Sequence, residues 1–136
     1  MSPSALHSLP VEVSFSALAD GANISSLGTL NILGRFQRLY VGRLPARHPS
    51  MTLILEFEGD PLSDVDVERE IHIALVDPDG RELKTINAKM KVSAPTEPGP
   101  ILMMLLAEVR DVEVRRMGAH EFRTQIDGVD QRLNAR

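Results

Sequence analysis

The stretch from Val67 to Val92, VEREIHIALVDPDGRELKTINAKMKV, constrains the fold more than any other. Ile71, Ile73 and Leu75 alternate with His72, Ala74 and Val76, and beyond a short break Ile86, Ala88, Met90 and Val92 alternate with Asn87, Lys89 and Lys91. A period of two sends one set of side chains to a core and the other towards water, the mark of a half-buried strand. The break is Asp77-Pro78-Asp79-Gly80. Proline presets φ at the first corner of a turn, aspartate tolerates the second, and glycine supplies a positive φ. The spacing therefore predicts a β-hairpin, with the remaining chain laid around it as further strands.

Those strands can be read in order. Val11, Val13, Phe15 and Ala17 alternate with Glu12, Ser14 and Ser16, which predicts a one-faced first strand. The turn-rich run from Asp20 to Gly28 reads as a loop. Leu30, Ile32, Gly34 and Phe36 share a parity, but Leu39 and Val41 lie on the other, so a bulge or bend is expected near Gln37 and Arg38. Arg43 to Ser50, with two prolines, reads as a connection before a third strand carrying Met51, Leu53, Leu55 and Phe57. Residues Gly59 to Asp64 form a turn into the hairpin, and a proline-rich break follows Val92. Ile101 to Ala107 is apolar at every position, so residues 101–116 fit either a strand covered on both faces or a helix. His120, Phe122, Thr124 and Ile126 share a parity, Asp127-Gly128 is a hairpin signal, and Val129 to Ala135 can supply a last strand. About eight strands with turn punctuation suggest a sandwich and not alternating βαβ units. The expected core is Val13, Phe15, Ile32, Phe36, Leu53, Leu55, Ile73, Leu75, Ile86, Met90, Val114, Phe122 and Ile126.

Composition narrows the class. A chain of 136 residues, 43% apolar and 25% charged, suits one soluble globular domain, here residues 11–136 behind a flexible N-terminal stretch of residues 1–10. With four Phe, one Tyr and no Trp, the core has to be aliphatic. The absence of cysteine rules out disulfides and thiolate metal sites. The first twenty residues lack a basic, then apolar, signal pattern, and no run approaches the roughly 20 apolar residues of a membrane helix. The cytoplasm is the expected compartment, with no membrane contact. The net charge of −4 is unevenly spread: Gly21 to Leu55 holds four arginines and no acid, whereas Glu56 to Glu82 holds ten acidic residues against Arg69 and Arg81.

Four segments in order, GTLNILGRF (28–36), RHPSMTLILEFEG (47–59), ALVDPDGREL (74–83) and VEVRRMGAHEFRTQIDG (112–128), resemble a family of short uncharacterised bacterial proteins. The resemblance implies an immunoglobulin-like β-sandwich and brings no activity, cofactor or catalytic residue. Met117 stands where that family tends to have proline, and His120 where it tends to have tyrosine. A tyrosine there can bond back to nearby backbone and pin a corner; an imidazole has a shorter reach.

No residue set reaches a catalytic signature. His7, His48, His72 and His120 form no close pair, and His120 reads as a packed corner residue. Asp60, Asp64, Asp66, Glu68 and Glu70 are the densest acidic run, but calcium needs six to eight oxygens converging from a tight loop, and carboxylates alternating along a strand point off one face instead. Arg35, Arg38, Arg43 and Arg47, with Tyr40 among them, could contact an anion or a partner, although a sequence pI near 5.5 argues against nucleic acid. The favoured function is a non-catalytic protein-binding or assembly module without a cofactor, forming a homo-oligomer or binding a protein partner. The alternative is a small-molecule, divalent-metal or hydrolytic site on Asp60 to Glu70. If Ile101 to Ala107 is a strand, either Ile101, Met103 and Leu105 or Leu102, Met104 and Leu106 face outwards as an apolar stripe, the expected interface.

Overall fold

The computed structural model describes residues 12–60, 65–91, 99 and 101–131. The N-terminal stretch 1–10, Asp64 and the end of the last expected strand lie outside these residues. Among them the structure is all β: β1 (Glu12–Ile24), β2 (Leu30–Phe36), β3 (Ala46–Gly59), β4 (Arg69–Val76), β5 (Glu82–Met90), β6 (Ile101–Val114), β7 (Glu121–Ile126) and β8 (Val129–Gln131). They form two antiparallel four-stranded sheets, ordered β2-β1-β3-β6 and β5-β4-β7-β8. Leu53, Leu55, Phe57, Ile101 and Met103 of the first sheet and Ile71, Ile73 and Ile126 of the second belong to one buried cluster. The sheets thus lay their apolar faces together in a sandwich-like arrangement.

The hairpin forms as its sequence predicts. Gly80 N–H donates to the Asp77 carbonyl at 3.0 Å, and Asp77 N–H donates to the Arg81 carbonyl at 2.9 Å. The Asp77 carboxylate accepts from the backbone N–H groups of Asp79 and Arg81 at 2.9 and 2.8 Å. Gly80, at φ 85°, takes the left-handed position, and the register shifts at Leu75/Val76, a turn followed by a bulge. Asp127 (φ 50°) and Gly128 (φ 82°) close the β7–β8 hairpin, also as predicted.

Several expectations are corrected. Asp20 to Gly28 is not a loop: β1 runs to Ile24, and only residues 25–29 turn. That turn repeats the Asp77 device with serine. Gly28 N–H donates to the Ser25 carbonyl at 2.9 Å, and Ser25 Oγ accepts from the N–H groups of Leu27 and Thr29 at 3.2 and 3.1 Å. The first strand is not one-faced, because the register shifts between Val13 and Phe15. The bulge sends Val13 to the common core and Phe15 to the outer face of the first sheet, beside Ala17, Ala19 and Ile54. Ile32 is also not core, being 37% exposed. The chain does not resume a strand after Phe36; Leu39 and Val41 are exposed.

The connection ends earlier than expected, since β3 starts at Ala46 and includes Pro49. Proline is tolerated there because β1 pairs with β3 only from Thr52 onwards, so its missing N–H breaks no ladder on that side. Residues 101–114 are strand, which settles the choice between strand and helix for β6. Strand β4 begins at Arg69, so Asp66 and Glu68 precede it, and Asp66 sits in a turn at φ 58°. The acidic row along one strand face therefore does not form.

Candidate interaction surface

The two sheets differ in their outer faces. On the second, polar side chains pair across and along strands: His72 Nδ1 lies 2.7 Å from Asn87 Oδ1 and Gln125 donates to Asp130 at 2.9 Å between strands, and Arg123 donates to Glu121 at 2.6 Å within β7. That face is satisfied in water. The outer face of the first sheet is apolar at its centre. The register there places Glu12, Glu58 and Leu102 in one row across β1, β3 and β6, then Phe15, Glu56 and Met104, then Ala17, Ile54 and Leu106, then Ala19, Thr52 and Glu108. Ile54 and Ala19 are fully buried although they point away from the second sheet.

Strand β6 decides the parity left open by the sequence. Ile101, Met103 and Leu105 turn to the common core, where the first two are buried. Leu102, Met104 and Leu106 turn outwards. Leu106 packs against Ala17, Ala19 and Ile54, Met104 is half-buried, and Leu102 is 59% exposed. Strand β6 is also the edge of its sheet, so its second hydrogen-bonding side faces no strand of the sheet.

The charges around this face are sorted by position. Glu12 and Glu58 are exposed, and Ser14 Oγ donates to Glu56 Oε1 at 3.0 Å. Glu108 accepts from Arg110 at 2.7 Å and from Ser50 at 3.2 Å, bonds that hold its carboxyl below the ordinary glutamate value, Arg110 foremost. Glu113 is lowered mainly by its bond from Arg115, with a weaker contribution from Arg47 at 3.2 Å.

Arg47 is thus engaged with Glu113 on β3 and β6. Arg35 lies on β2, and Arg38 and Arg43 on the segment after it. These three are exposed and form no ion pair among the described residues. The structure therefore separates the four arginines into one paired residue and three open ones. Tyr40, between them, is 86% exposed.

The remaining candidates do not converge. Among the described residues no group of three His, Asp or Glu side chains could hold a metal ion. Glu68 pairs with Lys89 at 3.4 Å, and the Glu70 N–H donates to Asp127 Oδ1 at 2.8 Å. His48 stacks at a tilt on Phe36, with ring centroids 6.1 Å apart. His120 Nδ1–H donates to the Gly118 carbonyl at 3.1 Å, the backbone bond that a corner residue makes, here over two residues. The Nε2 atoms of His48 and His120 are buried without a partner among the described residues. Gly118 (φ 127°) sits so close to Pro78 that a Cβ would stand 3.0 Å from its ring, and Arg116 donates to Asp79 at 2.7 Å, so this corner rests on the Asp77–Arg81 turn.

A family model covers residues 14–133, all of β2 to β8 and most of β1. The chain belongs to the family of unknown function DUF6941. No curated protein and no solved structure matches the chain. Membership in DUF6941 therefore supplies no activity. Among the described residues no helix is long and apolar enough to cross a membrane.

The hairpin arm of β1 and β2 was missed by reading the sequence, because Gly21, Ala22 and Asn23 have poor strand propensity. A signal for it was present. Ser25-Ser26-Leu27-Gly28-Thr29 has the same spacing of side-chain acceptor and glycine as Asp77-Pro78-Asp79-Gly80-Arg81.

Proposed function

We propose that this DUF6941 chain is a non-catalytic protein-binding module that self-associates through the outer face of β6, and that it acts in the bacterial cytoplasm. The observation that carries the reading is Leu102, 59% exposed in line with Met104 and Leu106 while the alternate residues of the same strand fill the core. A contiguous apolar stripe on a sheet face and edge is the ordinary mark of an interface, and methionine adapts its shape to a partner.

The same proposal takes the scaffold to be immunoglobulin-like. The pairings β1–β3–β6 in one sheet and β4–β7–β8 in the other support it, since they follow the A-B-E and C-F-G pairings of that fold. On this reading β5 is an added strand beside β4, and β2 extends the first sheet.

Light scattering on the purified chain tests the function. A mass above the 15.0 kDa of one chain is expected. Met104→Glu should dissociate the assembly with the thermal midpoint of the monomer retained, whereas Met103→Glu, in the core, should unfold the chain. A wild-type monomer throughout the accessible concentration range would refute self-association.

A further inference from the structure

The outer end of β1, from Gly21, and β2 from Leu30 to Gly34 form an arm. Strand β1 pairs with β3 only as far as Ala19, opposite Thr52. From Gly21 to Ile24 its partner is β2. A two-stranded ribbon is marginal in water on its own, and this one carries apolar side chains in the open: Leu33 is 74% exposed and Leu27, at the tip, 89%. Arg35 stands at its root, opposite Ala19, with Arg38 just beyond, both exposed. The arm rests on its own chain near its tip, where Ala22 and Leu30, the latter opposite Ile24 in the last pair before the turn, pack against Ala17, Ala19 and Ile54. Its tip leaves the opposite end of the same sheet uncovered, where Leu102 stands in register with Glu58 and Glu12.

Two surfaces of one chain are therefore complementary: an apolar arm with arginines, and an apolar stripe ending in exposed carboxylates. We infer that the arm of one copy docks on the outer face of the first sheet of a second copy, with Arg35 and Arg38 against Glu12 and Glu58 and Leu33 against Leu102. This deepens the self-association reading and depends on it. The reciprocal exchange of two arms closes as a twofold dimer, in which each contact is made twice.

Charge reversal tests the inference. The arm variant Arg35→Glu/Arg38→Glu and the face variant Glu12→Lys/Glu58→Lys each juxtapose like charges, and each should weaken the dimer by roughly tenfold or more. Mixing the two in equal amounts should restore a mass of twice 15.0 kDa, because the acidic arm meets a lysine face and the native arm meets a native face. The recovered dimer should weaken as salt rises. Circular dichroism and thermal melts of each variant establish that both are folded. If Met104→Glu dissociates the wild-type dimer but neither charge variant does, the arm inference is overturned and self-association stands. If the wild type is a monomer, both fall. If each variant dissociates but the mixture stays monomeric, the pairing of arm with face is wrong.

Discussion

Thr124 is 1% exposed in the middle of β7, and no protein group among the described residues lies within bonding distance of its Oγ1. It shares a parity with Phe122 and Ile126, both in the core, and stands in register with Ile73. A hydroxyl buried without a bond costs about 1–3 kcal/mol. Valine has nearly the same shape, suits a strand at least as well, and replaces that hydroxyl with a methyl group that gains from burial. Thr124→Val should therefore stabilise the fold by about 1–2 kcal/mol. Unfolding entropy of roughly 2.1 cal/mol/K per residue converts this to a rise in melting temperature of about 3–7 °C for 136 residues. Thr124→Ser, which keeps the hydroxyl and loses the methyl, should move the midpoint down. Differential scanning calorimetry reads both, with the van't Hoff and calorimetric enthalpies compared to establish a two-state transition. A lower midpoint for Thr124→Val would refute the reasoning, because it would mean that the hydroxyl is bonded in the folded protein.

Three further outcomes are expected. Asp77→Ala should destabilise the β4–β5 hairpin and remove part of its acid sensitivity. The backbone bond from Arg81 N–H, ahead of the bond from Asp79, holds the Asp77 carboxyl below the ordinary value of 3.8, so its stabilisation is present above that value and lost as pH falls through the lowered pKa; denaturant midpoints of both proteins across the acid range check the difference. Gly34→Ala should cost about 1–3 kcal/mol of stability, read as a lower urea midpoint, since Gly34 holds φ 69° and a Cβ there would press on the Asp20 side chain. Ile54→Ala should cost about 2–5 kcal/mol although its side chain points away from the second sheet, as read by equilibrium denaturation; a loss below 1 kcal/mol would mean that the outer cluster contributes little to the monomer.

What could be read from the sequence followed from how many cues agreed at each place. At Asp77 to Gly80, turn chemistry and the alternation on both sides pointed to one structure, and the hairpin formed. In β6 the alternation was silent because both parities are apolar, so period alone could not tell strand from helix or inside from outside. The long pairing with β3, from Ala46 opposite Val114 to Gly59 opposite Ile101, settled both questions through contacts remote in sequence. The bulge at Ser14 had no local cue. Val13 and Phe15 read as one face, and a single extra residue reversed everything after it, placing Phe15 in the outer cluster. The arginines were visible as a run, but only register showed that Arg47 meets Glu113 while Arg35 stands at the root of an arm.

The outer face of the first sheet bears on how tightly copies can hold together. Ile54 and Ala19 are already dry in one chain, so an assembly gains little from them. Only the rim changes state: Leu102 for the most part, Met104 and Leu106 slightly, and on the arm Leu33 and Leu27. Full burial of an aliphatic side chain is worth about 1.5–3 kcal/mol; scaled by what each exposes in the free chain, these five contribute on the order of 4–9 kcal/mol at each of two equivalent contacts. Lost translational and rotational freedom takes back about 4–15 kcal/mol, and ordering a ribbon tip and its arginines takes more. The surplus is no more than on the order of the 8 kcal/mol that corresponds to a micromolar dissociation constant. A chain with a core shared between its own two sheets needs no partner in order to fold, so association at this strength is reversible and leaves the monomer intact. Sedimentation equilibrium should then show monomer and dimer exchanging at micromolar protein, with the folded signal unchanged by dilution. Loss of β-structure on dilution would mean instead that the face is part of an obligate core, with Leu102 as necessary to the fold as Ile54.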